Sequence, residues 1–328
     1  MKQTLAIVER LPGHTEVMGG FASLALELGY DTHLLFNSKD RFHMTEYLRT
    51  RIPIASDNIH QWSHITDPSW HFDVILLNTS YVWLDYGPQL RQWNANKRLI
   101  VVHHDPEDIE LNPHGAPVYL TPAAGRGKWI FPLYSKQPDP VNLGLEDASL
   151  SAPRDAAELP ALVTIGALDL KDIADVFAYM KAGGKVVHYD RHKSHQFLDH
   201  TEFYTQHVGL SGTEFMMSLA QQKQPMFLWF PIVPESNYMV CRFTGGLIIG
   251  VDMNCIMVMP ERLRNFYGFP DDAVIAYDSS VTEAECIEKL RASPMKQHER
   301  RRQLRIWAVE RWQKNMAVFQ SLLGPRSS

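Results

Sequence analysis

The feature that most restricts the fold of this chain is a repeated exchange between short, unbroken apolar runs and longer amphipathic segments. Such runs are too short for buried helices and lack the alternation of a half-exposed strand, so they read as strands covered on both faces. The amphipathic segments between them supply the crossover helices of a parallel sheet. LAIV (Leu5–Val8) opens the series, Pro12 and Gly13 make a loop, and Val17, Phe21, Leu24 and Leu28 line one face of a helix that Gly29 ends. Further strands are expected at Thr32–Phe36, Asp73–Asn78, Arg98–His103 and Pro117–Thr121.

The pattern lapses from Lys136 to Pro160, where Pro, Asp and Ser are scattered without periodicity, as in a linker. It restarts with Ala161–Gly166, a helix from about Asp172 to Lys181, and strands at Lys185–Tyr189, Met226–Phe230, Cys255–Met259 and Ala273–Tyr277. A capping box of Thr282 and Glu285 is expected before the next helix. Lapse and restart predict an α/β protein of two Rossmann-like domains facing across a cleft, residues 1–150 and 160–304. A last helix, from near Pro294 to about Leu323, carries Val309, Trp312, Met316, Phe319 and Leu323 on one face. It is too long for one small domain, so its end, about residues 305–328, is expected to cross back onto the first.

A length of 328 residues with 45% hydrophobic and 21% charged residues suits two such cores. The net charge of −5 gives no general attraction to polyanions. The three cysteines, Cys241, Cys255 and Cys286, show no metal-type spacing and suit a reducing compartment. The N-terminal apolar run, Leu5–Val8, is far shorter than a signal peptide requires, and nothing approaches the roughly 18 apolar residues of a membrane span. A cytoplasmic monomer is expected.

Common site motifs fail one by one. Gly125 and Gly127 lack the third glycine of a dinucleotide fingerprint, no P-loop is present, and Thr213 replaces the second glycine of a nucleophile elbow at GLSGT. No Asp-x-Asp pair exists to hold a metal against a diphosphate. His188, His192 and His195 cluster in HYDRHKSH without a convincing carboxylate or thiol partner, so a solvated loop is preferred to a metal site there. No dedicated metal site is expected.

Ligands of open α/β sheets bind outside the carboxyl ends of the strands, which directs attention to the loops there. Glu16, in LPGHTE, and Asp105, in HHDPED, open onto the expected cleft from the first half. Glu16 also reads as a first-turn carboxylate favoured by its helix dipole, and Asp105 as a loop acid before Pro106. In the second half, Arg242 sits in an apolar segment expected to be helical, where a guanidinium requires an anionic partner. Lys171, just past Gly166 and the first strand of that half, is a second candidate for the same phosphates or a surface lysine. Arg126, Lys128 and Trp129 in GRGKWIF form a candidate phosphate and stacking contact to nucleic acid, or a loop tucked into the core by Trp129.

In order along the chain, LPGHTE, FDVILLNTSYVW, RLIVVHHDPED, VYLTP, WIFPLYS, VGLSGTEFMMSLAQQ and ESNYMVCRF resemble segments of the DNA β-glucosyltransferases of T-even bacteriophages. Those GT-B enzymes glycosylate 5-hydroxymethylcytosine in phage DNA. The resemblance is collinear over nearly the full length. It implies Asp105 as catalytic base, Glu16 as a second acceptor-side carboxylate and Arg242 on the donor diphosphate. It also places Ser211 near the uracil, Arg191 near the donor and Gly166 on the donor side. Gly245 departs from a family glutamate that holds the donor ribose, and GALDLKD keeps only Lys171 of an arginine-bearing loop.

The implied reaction is inverting transfer from a nucleotide sugar, with UDP as the expected nucleotide, to a hydroxymethyl group on double-stranded DNA. Asp105 would take the hydroxyl proton, Arg242 and Lys171 would stabilise the departing diphosphate, and the target base would flip out of the duplex. Two alternatives remain open: a transferase of the same fold acting on a glycan or small molecule, which the negative net charge favours, and a non-catalytic binding protein.

Overall fold

The computed structural model describes residues 2–9, 14–36, 44–61, 71–79, 82, 88, 98–104, 115–122, 128–136, 158–166, 173–190, 202–222, 226–231 and 245–324. Two six-stranded parallel sheets organise it. The first contains β1 (Thr4–Glu9), β2 (Asp31–Phe36), β3 (Ile59–Gln61), β4 (Val74–Leu77), β5 (Arg98–His103) and β6 (Ala116–Tyr119), in the order β3-β2-β1-β4-β5-β6. The second contains β7 (Leu162–Ile165), β8 (Val186–Asp190), β9 (Tyr204–Val208), β10 (Phe227–Trp229), β11 (Ile256–Pro260) and β12 (Ile275–Tyr277), in the order β12-β11-β10-β7-β8-β9. Counted within each sheet, both follow the same doubly wound order. The direction of winding reverses beside the first strand of each, between β1 and β4 and between β7 and β10.

The strands are nearly continuous apolar runs because helices cover both sheet faces. Leu5, Ala6, Ile7 and Val8 are all fully buried, and so are Ile256, Met257, Val258 and Met259. The helices are α1 (Thr15–Glu27), α2 (Met44–Arg51), α3 (Ile173–Lys181), α4 (Gly212–Ala220), α5 (Gly245–Asp252), α6 (Glu261–Tyr267), α7 (Ala284–Leu290) and α8 (Pro294–Leu323). One cluster of buried apolar side chains runs from β1 and α1 through α5 and α8 to β11, so the two sheets share a core. Most of the expected linker, residues 137–157, lies outside the described residues.

Helix α8 crosses the junction as its length demands. Ser293 caps it, accepting a bond from the Lys296 N–H, and Pro294 occupies the first turn, where a missing N–H costs nothing. Its first half binds the second domain: Arg300 donates to the Val274 carbonyl at 2.9 Å, Arg301 to Asn254 at 3.1 Å and Trp307 to Gly268 at 2.9 Å. Its second half binds the first. The Asn315 side chain donates to the Phe131 carbonyl and accepts from the Phe131 N–H at 3.2 Å, and Phe319 packs on Phe21. The buried stripe of α8 therefore includes Arg301, Arg311 and Asn315 beside Trp312 and Phe319.

One local expectation changes. Glu283, not Thr282, is the N-cap of α7, and no Thr282–Glu285 capping box forms. The Glu283 carboxylate reaches back to the N–H groups of Asp278, Ser279 and Ser280, while Thr282 Oγ1 pairs with Ser280 Oγ at 2.8 Å. The hydroxyl and backbone donors of Ser279, with the other N–H groups of the turn, hold the Glu283 carboxyl down to about 2. Thr282 does not serve as the cap because its hydroxyl and its N–H are both engaged by Ser280 Oγ, the N–H at 3.2 Å.

Replacing Asn315 by leucine keeps the volume but removes the side-chain acceptor of the buried Phe131 N–H and Arg311 Nε and one of the donors to the Phe131 carbonyl. Asn315→Leu is expected to cost about 2–4 kcal/mol, read as a lowered urea midpoint with an unchanged slope.

Candidate active site

The winding reversal of the first sheet ends in a buried polar cluster. Glu9 closes the apolar run of β1 and is 1% exposed. Its carboxylate accepts from Asn78 Nδ2 at 2.5 Å and from Thr79 Oγ1 at 3.5 Å, both just past the end of β4. The same Asn78 nitrogen donates to the His14 carbonyl at 3.0 Å, which fixes the start of α1 against the sheet. His104, just past β5, donates from Nε2 to the Asn78 carbonyl at 2.8 Å and meets the His14 ring edge-on at 4.3 Å.

Burial, reinforced by the neighbouring His14, holds the His104 imidazole well below its ordinary range, so it is neutral. With Nε2 committed as donor, its Nδ1 is an acceptor. His103 is 1% exposed and is pushed down to about 4 by burial. Neither ring nitrogen of His103 finds a hydrogen-bond partner among the described residues, and neither does Asn78 Oδ1. Orphaned buried polar atoms are uncommon enough to mark this sheet edge as a place where polar ligand groups belong.

Glu16 stands in the first turn of α1, partly buried, and reaches the opposite domain. Its carboxylate lies directly against Gly245, the first residue of α5, so closely that a Cβ on Gly245 would collide with it. Gly245 is thus required for the close approach of Glu16. The N-terminus of α5 carries the positive end of its dipole, which suits an anion and which the Glu16 carboxylate approaches.

At the winding reversal of the second sheet, β7 ends in Gly166, with φ of 95°. Ser211 lies after β9, at the sheet edge, and caps α4. Its hydroxyl donates to Glu214 at 2.8 Å and accepts from the Glu214 N–H at 3.2 Å, a complete capping box. His188 is not part of a solvated loop: it is buried in β8 and bonded to Tyr204 and Gly166. Among the described residues no group of three or more His, Cys, Asp or Glu side chains could hold a metal ion. No helix there is long and apolar enough to cross a membrane.

Trp129 takes the packed one of its two open placements. Its backbone bridges to Tyr119, and the Arg311 guanidinium covers its ring at 3.3 Å while donating to its carbonyl at 3.2 Å. A nucleic-acid base would have to displace Arg311 from that face. Lys128 is exposed beside it. Asp105, Arg126, Lys171, Arg191 and Arg242 lie outside the described residues, as do His192 and His195. In the chain, Asp105 directly follows His104 and Arg242 precedes α5 by three residues.

Sequence reasoning passed over Glu9, His14, Asn78, His103 and His104. The available signals were a carboxylate closing an apolar run and imidazoles in the same LPGHTE and HHDPED segments that supplied Glu16 and Asp105.

No family model matches the chain, and no curated protein does. Among solved structures it is similar to AviGT4, a glycosyltransferase involved in avilamycin A biosynthesis, with 14% identity over 96% of this chain and 98% of that one and a TM-score of 0.55. It is also similar to the catalytic domain of starch synthase IV from Arabidopsis thaliana bound to ADP and acarbose, with 8% identity over 98% and 99% of the two chains and a TM-score of 0.51. The shared architecture is the GT-B fold, two Rossmann-like domains with a long C-terminal helix.

The His103 environment sets a pH dependence. Its folded value of about 4 lies below the ordinary 6.5, so between those limits the unfolded chain binds more protons and stability falls as pH falls. The loss is expected to be on the order of 3 kcal/mol from pH 6.5 to 4, with His104 acting in the same direction. Urea midpoints at pH 7.5 and 4.5 measure it, and His103→Phe is expected to flatten the difference.

Proposed function

We propose that the chain is a nucleotide-sugar-dependent glycosyltransferase whose acceptor is a small molecule or a glycan. The observation that carries this reading is the meeting of Glu16 with the N-terminus of α5. A wall bearing carboxylates and neutral imidazoles thereby meets a helix end suited to phosphate. Glycosyl transfer requires both: a group that takes a proton from the acceptor hydroxyl and a fixed positive potential for the departing diphosphate.

The first domain is the acceptor side. Asp105 takes the proton as the acceptor oxygen attacks the anomeric carbon, and the C–O bond to the diphosphate breaks on the opposite face, inverting the centre. His104, neutral and anchored to Asn78, immediately precedes Asp105 and limits where it can stand. Glu16 is the second acceptor-side carboxylate. The second domain is the donor side, where Arg242 and Lys171 join the α5 N-terminus on the leaving group. Gly166 borders the nucleotide, with Ser211 nearer the sheet edge, and Arg191 is a further donor-side candidate. A UDP-sugar is the expected donor, and the structural relative bound to ADP supports a nucleoside diphosphate in a fold of this kind.

The small-molecule or glycan acceptor is supported by the net charge of −5 and by a structural relative involved in avilamycin A biosynthesis. The second reading is transfer to 5-hydroxymethylcytosine in DNA, which the collinear resemblance motivates and for which Arg126 and Lys128 remain candidate phosphate contacts.

Incubation with a panel of UDP- and ADP-sugars, with free saccharides and hydroxymethylated duplex DNA offered separately, is read by mass spectrometry. Sugar on a saccharide supports the proposal. Sugar on DNA, with a salt-sensitive gel shift, selects the second reading. Asp105→Ala is expected to keep donor affinity and lose at least about a hundredfold in turnover, whereas Arg242→Ala weakens the donor about tenfold or more. Wild-type turnover by Asp105→Ala contradicts the mechanism.

A further inference from the structure

Gly166 is the last described residue at the end of β7, beside the winding reversal of the second sheet, and its backbone is tied on both sides. Its N–H donates to the Tyr189 carbonyl at 2.8 Å, and its carbonyl accepts from His188 Nε2 at 2.7 Å. A Cβ at this position would meet nothing within 4 Å among the described residues. Glycine is needed here for φ rather than for room.

His188 is 0% exposed, yet packing within β8 could be served by an apolar side chain. Its two ring nitrogens are both used. The Gly166 carbonyl can only accept, so Nε2 carries the proton, and in the neutral ring Nδ1 must then accept from the Tyr204 hydroxyl of β9. Burial keeps the imidazole neutral and pushes the Tyr204 hydroxyl up, so that it stays a donor. Asp190 is the charged group that acts on both, and it does not reverse either outcome. A directed chain of bonds thus runs across three strands, from the Tyr204 hydroxyl through the imidazole to the Gly166 carbonyl.

Resting on the reading of the second domain as the donor side, we propose that His188 and Tyr204 are positioning residues for the donor nucleotide. They fix the carbonyl of Gly166, the residue that directly follows β7. A glycine at φ 95° has other backbone states within easy reach, and the imidazole removes them. The ligand served is a nucleoside diphosphate seated over the end of β7.

The test uses the full chain and isothermal titration calorimetry with UDP and with ADP. His188→Leu combined with Tyr204→Phe removes both members of the polar pair together, which avoids an orphaned hydroxyl and releases the Gly166 carbonyl. The double variant is expected to raise the Kd of the nucleotide that the wild type binds about tenfold. The acceptor KM at saturating donor should change less than twofold. His188→Gln, which can still donate to Gly166, should restore affinity to within about threefold. A folded double variant with wild-type Kd overturns the proposal. Should that variant fail to fold, Gly166→Ala carries the test through φ alone: the same rise in Kd supports the proposal, and an unchanged Kd overturns it. A wild-type chain that binds neither UDP nor ADP overturns the donor-side reading itself, an outcome distinct from a variant that binds as well as wild type.

Discussion

The arrangement of the two domains depends on how the first one holds helix α5. From Gly246 to Asp252 every residue of α5 is buried, and an apolar helix of this kind is stable only inside a core. Both of its ends are met by charges from the first domain. Glu16 of α1 stands at its N-terminus, and Arg51 of α2 pairs with Asp252 at its C-terminus at 2.6 Å, with side-chain exposures of 6% and 2%. These signs match the helix dipole at each end. Removing one member of a buried pair leaves an uncompensated charge, so the contact constrains domain placement more than it adds to net stability.

From that constraint follows the geometry needed for chemistry across a cleft. Each sheet places its winding reversal at the carboxyl ends of its strands, and each reversal carries groups that packing alone does not require. In the first sheet these are Glu9, Asn78, His103 and His104. In the second they are Gly166 and His188. Helix α8 closes the arrangement by binding the second domain with Arg300, Arg301 and Trp307 and the first with Asn315 and Phe319. Its interior is polar because it crosses the junction over backbone groups, such as those of Phe131, that lie outside regular ladders and need partners.

The doubly wound sheets were legible in the sequence because strands buried on both faces leave unbroken apolar runs, and the described strands from β1 to β12 include every run so assigned. The reach of the last helix was legible from Trp312, Met316 and Phe319. What apolar spacing could not reveal is burial of polar side chains. Arg311 and Asn315 fall on the same helical face as Trp312 and Phe319, but their burial depends on carbonyls and a tryptophan ring contributed from about 180 residues away in the chain. The same blindness hid the buried His103, and Glu9 and His188, whose hydrogen-bond partners come from neighbouring strands or the ends beside them. Thr282 and Glu285 matched a local capping pattern, yet Ser280 Oγ engages both the hydroxyl and the N–H of Thr282. Glu16 was read correctly as a first-turn carboxylate, but only the folded chain shows that it also touches Gly245 of the other domain.

A crystal structure of the chain with UDP tests the central claim most directly. The account predicts the nucleotide over the carboxyl ends of β7 and β10, with its phosphates at the N-terminus of α5 beside Gly245. A nucleotide bound instead at the first-domain cluster of Glu9, Asn78 and His103 would contradict it.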